Sequence, residues 1–246
     1  MRKLTDFLIA VYLLPLQMSY RLALYVKGKI LQYDCHYVAT LDVIRRKFPR
    51  HQGLVVDIGA FDADSTIFFA RQLSNNKILG FEPNPSPFHK GVENAKDYKN
   101  ITLFNLGLSD HVGEMAFHLT KDPVSSSLFS IKESKEILYS HTIQIKVTTL
   151  DEFFRDKGDI LLMKLDVQGA ELKILLEGKE TLRKTKLVLT EVLNSELYSG
   201  ACLYHQVDEC LRKNGFIIHS LFANYNHEGT KYCDVLYINS NAEISR

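Results

Sequence analysis

The stretch Leu54-Val55-Val56-Asp57-Ile58-Gly59-Ala60-Phe61-Asp62-Ala63-Asp64-Ser65-Thr66 decides the fold. Residues 54–58 are apolar on both faces apart from one carboxylate, the pattern of a strand buried inside a parallel sheet. Gly59 then lets backbone approach a ligand closely, and a helix is expected over 63–73. In open sheets of this kind ligands sit beyond the C-terminal strand ends, where strand order reverses, so this turn is the first place to look for a site. The turn is not G-x-G-x-x-G. A pyrophosphate needs a glycine-lined turn and a helix N-terminus without opposing charge, whereas Asp62 and Asp64 crowd this one with negative charge. Dinucleotide binding is therefore disfavoured. A ligand with a cationic sulfonium and an ammonium group, which describes S-adenosylmethionine, suits an acidic turn better.

Downstream, short β-rich runs alternate with helical stretches. Strands are expected at 77–81, 101–106, 143–147, 159–165 and 187–192, with an added strand at 112–119. Helices are expected at 85–98, 150–154, 170–176 and 204–214. Two closing strands, 216–221 and 233–238, read as a hairpin with a long loop around 224–229. The result is an α/β, doubly wound, mostly parallel sheet with an antiparallel end, forming one domain over 53–246 behind an N-terminal helical arm, 1–52. The second strand ends in Gly80-Phe81-Glu82, and a carboxylate at that tip can accept both hydroxyls of a ribose.

With 46% hydrophobic and 24% charged residues, the chain has the profile of a soluble globular protein, which sets aside disordered and disulfide-scaffold readings. Lys and Arg number 30 against 29 Asp and Glu, so no global field is available to hold a polyanion, and nothing recommends nucleic acid as a partner. Cys35, Cys202, Cys210 and Cys233 show no C-x-x-C spacing, and free thiols in a reducing compartment are the simpler reading, hence a cytoplasmic location. Residues 4–30 read as a mostly apolar helical arm. Its apolar run, 7–16, is shorter than the ~20 residues a spanning helix needs, and it contains Pro15. With Arg21, Lys27 and Lys29 beyond that run, the arm is expected to cover the core, pair subunits in a homo-oligomer, or make peripheral membrane contact.

Further segments follow in order: Pro83-Asn84-Pro85, Gly107-Leu108-Ser109-Asp110, Ser126-Ser127-Leu128, Val147-Thr148-Thr149-Leu150-Asp151, Lys164-Leu165-Asp166-Val167-Gln168-Gly169-Ala170-Glu171 and Glu191-Val192. Together with residues 57–66 and 80–82 they resemble the FkbM-type methyltransferases of the Rossmann-like, S-adenosylmethionine-dependent class, over roughly 53–222. One departure is Ala63, where the family's acidic turn reads D-G-D-S. The resemblance implies a seven-stranded class I sheet and methyl transfer to a hydroxyl of a sugar, glycan or other natural-product acceptor. By that likeness Asp57, Gly59 and Ala60 line the methionine end of the cofactor, and Phe61, Asp62, Ser65 and Thr66 complete the turn. Glu82 holds the ribose with Pro83 and Asn84 beside it, Ser109 and Asp110 lie near the adenine, and Asp166 borders the cofactor.

Methyl transfer is an in-line displacement, so a protein mainly has to align the acceptor oxygen and receive its proton. The candidates are Asp166 and Glu191, at the ends of two strands, with Lys164 and Asn194 nearby. Either Asp166 and Glu191, with Asn194, hold a Mg²⁺ that polarises the hydroxyl, or one carboxylate is the base and no metal is used. Asp166 as a plain helix cap is a third reading. His205 is a further base candidate, Ser126 and Ser127 fall in a loop expected to act as an acceptor lid, and Tyr198 and Tyr204 offer aromatic faces to a sugar ring. A nucleic-acid amino-group methyltransferase would show an N/D/S-P-P-Y-like segment where Asp166-Val167-Gln168-Gly169 stands. The alternative from another class is a non-catalytic nucleoside-binding or scaffold protein of the same fold.

Overall fold

The computed structural model describes residues 34–50, 52–120, 127–128, 139–195, 198–223 and 231–241. The expectations for the arm at 4–30, for Ser126 and for the loop at 224–229 lie outside the described residues. What is described falls into two compact units, one ending at Pro49 and one running from Arg50. The first holds α1, Cys35–Lys47, whose last turn carries Arg45, Arg46 and Lys47, where the helix dipole favours cations. Among the described residues no helix is long and apolar enough to cross a membrane.

The second unit is built on a seven-stranded sheet. Its parallel centre is β1 (Leu54–Ile58), flanked by β2 (Ile78–Phe81) and then β3 (Ile101–Phe104) on one side and by β7 (Ile160–Leu165) and β8 (Thr185–Leu193) on the other. β10 (Tyr232–Asn239) runs antiparallel to both β8 and the edge strand β9 (Phe216–Ala223), so the expected closing hairpin forms and its second strand is inserted between β8 and β9. All six residues of β7 are buried, as are the last four of β1. Fully burying an aliphatic side chain contributes about 1.5–3 kcal/mol, which is why these near-continuous apolar runs take the middle of the sheet.

The crossovers are α2 (Asp64–Gln72), α3 (Pro85–Ala95), α4 (Leu150–Phe154), α5 (Glu171–Leu176), α6 (Lys179–Arg183) and α7 (Tyr204–Lys213). Strand order reverses between β1 and β7, which puts the switch point at the turns after Ile58 and Leu165. The short helix α6 lies in a stretch whose sequence carries no clear period. Asp151 fixes it by accepting the backbone N–H groups of Glu180 at 3.0 Å and Thr181 at 2.7 Å.

The expected strand over 101–106 ends early, as β3 at Phe104, and a further short strand that was not expected follows it. After β3 the chain leaves the main sheet, and β4 (Gly107–Leu108) pairs with β6 (Tyr139–Thr148), which also pairs with β5 (Gly113–Thr120), in a separate three-stranded sheet. Asn105 pins the break by donating its side-chain amide to the carbonyls of Glu82 and Pro83 at 2.9 and 3.0 Å. β5 and β6 bury one row, Phe117, Ile145 and Val147, while Glu114 and Lys146 face solvent, so they fit a one-sided antiparallel sheet and not the doubly covered one.

Candidate active site

The turn after β1 is shaped by contact with the turn after β7. Gly59 has φ +82, and a Cβ on it would stand 1.9 Å from the Asp166 carbonyl oxygen, so only glycine fits. Among the described residues the non-glycines at positive φ are Phe61 (+49), Ala63 (+69) and Gln168 (+55), all on these two turns. Ala63 is the position where the family pattern has glycine, and its left-handed backbone supplies the reason. Such strain, of order 1 kcal/mol or more per residue, collects where the surroundings hold a turn in a functional shape.

Asp57 does not line a cleft. It is fully buried, its Oδ2 accepts the hydroxyls of Ser65 at 2.7 Å and Thr66 at 2.6 Å, and its Oδ1 faces Lys164 Nζ at 3.1 Å. The strand register causes this, because Asp57 stands directly beside Lys164. An unpaired ammonium in the middle of β7 would cost several kcal/mol, and Asp57 offsets that. Asp57, Ser65, Thr66 and Lys164 thus tie β1, α2 and β7 together behind the site. Asp62 turns toward α3, where it meets Lys90 at 2.7 Å.

Glu82 is 8% exposed, and each of its oxygens accepts one backbone N–H, from Asn84 at 2.7 Å and from Phe61 at 3.0 Å. Burial pushes its carboxyl up to about 7, against the pull of those two N–H groups. Asn84 also caps α3 by accepting the Ser86 N–H at 3.2 Å. Around Glu82 opens a cleft of about 750 Å³, the open solvent at its mouth included. Gly59, Phe61 and Pro83 border it on the β1–β2 side, Gly107 and Leu108 of β4 on a second side, and Phe117 and Ile145 of the small sheet, with Leu128 packed against them, close a third. Ser109 and Asp110 follow Leu108 without lining the cleft. Ser109 is buried and donates its N–H to Thr148, and Asp110 meets His111 at 2.9 Å and Lys173 at 3.3 Å, contacts that hold its carboxyl below the usual range. Ala60, buried, uses its N–H on the Phe81 carbonyl.

Asp166, Val167, Gln168 and Ala170 form the remaining side of the cleft. The Asp166 side chain is 37% exposed and stands 3.7 Å from Lys164 Nζ. Gln168 was not among the residues expected at the site, yet it joins four of them. Its Nε2 donates to Asp166 Oδ1 at 2.9 Å and to Glu191 Oε2 at 3.2 Å, its Oε1 accepts the Tyr198 hydroxyl at 2.7 Å, and its carbonyl accepts Ser127 Oγ at 2.9 Å. The only signal in the sequence was its place between Asp166 and Gly169 in the motif. Glu171, fully buried, fixes the same turn by accepting the N–H groups of Val167 and Gly169. The Glu191 carboxyl is pushed up to about 9, by burial first and then by Asp166, Asp234 and Glu171, with Lys164 opposing.

Four further expectations are corrected. The Mg²⁺ set of Asp166, Glu191 and Asn194 does not assemble, because the Gln168 amide puts a hydrogen-bond donor between the two carboxylates, and Asn194 is exposed with its N–H on the Lys231 carbonyl. Among the described residues no three His, Cys, Asp or Glu side chains come together as a metal site. Tyr198 offers no face to a sugar, since it is 6% exposed and its hydroxyl is used on Gln168. His205 is exposed on the first turn of α7 and does not line the cleft. Ser127 is buried against the Gln168 turn and is no free lid residue.

Comparison with known proteins adds three likenesses. Over 160 residues the chain is 29% identical to the 2-O-methyltransferase NoeI of Sinorhizobium fredii (strain NGR234), a match that covers 60% of this chain and 66% of that relative's own length. The structure of magnesium protoporphyrin IX methyltransferase (ChlM) from Synechocystis PCC 6803 aligns with a TM-score of 0.47 at 11% identity, over 83% of this chain and 80% of that one. TrmK of M. capricolum aligns with a TM-score of 0.48 at 12% identity, over 87% and 71%. The model of the family described as "Methyltransferase FkbM domain" matches residues 57–218, about two thirds of the chain, and the protein belongs to that family.

Proposed function

We propose that the protein is an S-adenosylmethionine-dependent O-methyltransferase whose acceptor is a hydroxyl of a carbohydrate or related natural product. The observation behind this reading is that one cleft is bordered by a pre-oriented carboxylate, Glu82, and by a second carboxylate at its rim, Asp166. Each Glu82 oxygen accepts one backbone N–H and keeps a further lone pair, which suits the two hydroxyls of a ribose. The cofactor implied by the family therefore fits the residues present. When bound, S-adenosylmethionine supplies an electrophilic methyl group on a sulfonium and leaves as S-adenosylhomocysteine.

The chain's own residues do the rest. Asp166 takes the proton of the acceptor hydroxyl as the oxygen gains the methyl group, with Lys164 and Gln168 holding the carboxylate in place. Phe117, Leu128 and Ile145 give the cleft an apolar wall, which narrows the access of water, a competing acceptor. That the acceptor atom is an oxygen draws support from the name of the 2-O-methyltransferase relative. The near-balance of charge gives no support to a polyanionic acceptor.

Calorimetric titration with S-adenosylmethionine and S-adenosylhomocysteine, with NAD as control and with and without Mg²⁺, tests the cofactor. Saturable binding of the first two alone supports the reading, and binding of neither leaves a non-catalytic scaffold of this fold. An acceptor screen beginning with glycans then reads S-adenosylhomocysteine formation. Asp166→Asn is expected to retain cofactor binding while turnover falls roughly 10²–10⁴-fold, the usual worth of a general base. Unchanged turnover in that variant would remove Asp166 from the mechanism.

A further inference from the structure

Gln168 stands at φ +55, a conformation that L side chains adopt only where their surroundings hold them. Here the surroundings hold it from both sides. Glu171 accepts the N–H groups of Val167 and Gly169 from within, and Ser127 donates to the Gln168 carbonyl from the small sheet. The side chain is equally constrained. Its amide nitrogen has two N–H groups and both are used, on Asp166 and on Glu191, while its amide oxygen accepts the Tyr198 hydroxyl. With the amide reversed, its oxygen would face the Asp166 and Glu191 carboxyl groups, so those two contacts select the orientation, and the Tyr198 hydroxyl, able to donate or accept, donates to the oxygen that results.

We infer that Gln168, oriented by Tyr198, is a positioning residue that holds Asp166 at the cleft rim and keeps Glu191 behind it as a separate carboxylate. The inference rests on the reading of Asp166 as the proton acceptor. Glu191 does not line the cleft, and it reaches Asp166 through this amide. The charged groups facing Glu191 are Asp166 at the end of β7, Asp234 on β10 and Glu171 on α5, which raise its carboxyl, and Lys164 on β7, which lowers it. Removing the amide withdraws a donor that favours the ionised form and lets the two carboxylates approach each other. Glu191 then keeps its proton to higher pH.

The test is an NMR titration of side-chain carboxyl carbons in the full chain, comparing wild type with Gln168→Leu and Tyr198→Phe and assigning Glu191 by its loss in Glu191→Gln. Leucine has no branch at Cβ and is no more strained than glutamine at this backbone position. Gln168→Leu is expected to raise the Glu191 midpoint by about one pH unit, and Tyr198→Phe to raise it by less. A midpoint that stays put or falls in both variants overturns the inference. If Gln168→Leu does not fold, Tyr198→Phe, which removes a single oxygen atom, decides alone. Calorimetry of the wild type with S-adenosylhomocysteine, run in parallel, judges the cofactor reading separately, since the titration requires no methyl transfer.

Discussion

Glu82 and Asp166 border one cleft, and the chain fixes them by different means. Glu82 is held by two backbone N–H groups, those of Phe61 and Asn84, which stay in place whatever side chains occupy positions 61 and 84. Asp166 is held by side chains, Gln168 and Lys164, and Gln168 depends in turn on Tyr198. Backbone donors at strand ends cannot be deleted by most substitutions, so that side of the cleft is suited to a ligand that never changes. Side-chain donors can be exchanged one at a time, so the other side can be retuned to a different acceptor without disturbing the first. The two sides meet where Gly59 touches the Asp166 peptide.

The largest effect is expected from removing the backbone-held carboxylate itself. Glu82→Ala deletes the acceptor of two charge-assisted hydrogen bonds to a ribose, each worth about 1.5–3 kcal/mol, so affinity for S-adenosylhomocysteine should fall by roughly 10²–10⁴-fold in calorimetry. It also strands the Phe61 and Asn84 N–H groups, which water can partly satisfy in the open cleft. A loss smaller than tenfold would mean that the ribose lies elsewhere and that the cleft has no such division.

What the sequence could show follows the same division. The buried parallel strands, the turn at Gly59 and the carboxylate at the tip of β2 are legible because they are local: period, glycine and a strand-end acid within a few residues of each other. The departure of β4 into a separate sheet is not, since it depends on Asn105 reaching the Glu82 and Pro83 carbonyls. The inward turn of Asp57 is set by its neighbour in the sheet, Lys164, 107 positions on, and no spacing rule anticipates that register. Gln168 was hidden twice over, by a positive φ that its residue type does not advertise and by a partner, Tyr198, thirty positions away. Local signals were thus readable, Asp166 at its strand end among them, whereas the distant side-chain contacts that turn Asp57 inward and bring in Gln168 were not.

The side-chain-held region should also carry the larger electrostatic burden. The Glu191 carboxyl is raised from an ordinary 4.5 to about 9, so between those values the folded chain keeps a proton that the unfolded chain releases. Stability from this group is therefore intact below about pH 4.5 and is lost progressively as pH rises toward 9. Glu191→Gln, neutral at every pH, removes the penalty while its carbonyl still accepts from Gln168. In chemical denaturation the variant should lie within about 1 kcal/mol of wild type near pH 5 and exceed it by several kcal/mol near pH 8. A gap that is constant with pH would place the strain in packing and not in charge.

The smallest effect is expected at Asp62, and it sharpens the comparison most. The sequence makes Asp62 part of an acidic turn that faces a cationic ligand, whereas the structure turns it toward Lys90 on α3, with side chains 20% and 66% exposed. Solvated ion pairs of this kind contribute about 0–1 kcal/mol. Asparagine keeps an oxygen for Lys90, so Asp62→Asn should leave thermal stability within about 0.5 kcal/mol and cofactor affinity within about twofold. A tenfold loss of affinity at low salt that vanishes at high salt would mean that the field of the turn reaches the ligand even with the carboxylate averted. The β1 side of the cleft would then be tuned by side-chain charge as well as by backbone, and the distinction between its two sides would be one of degree.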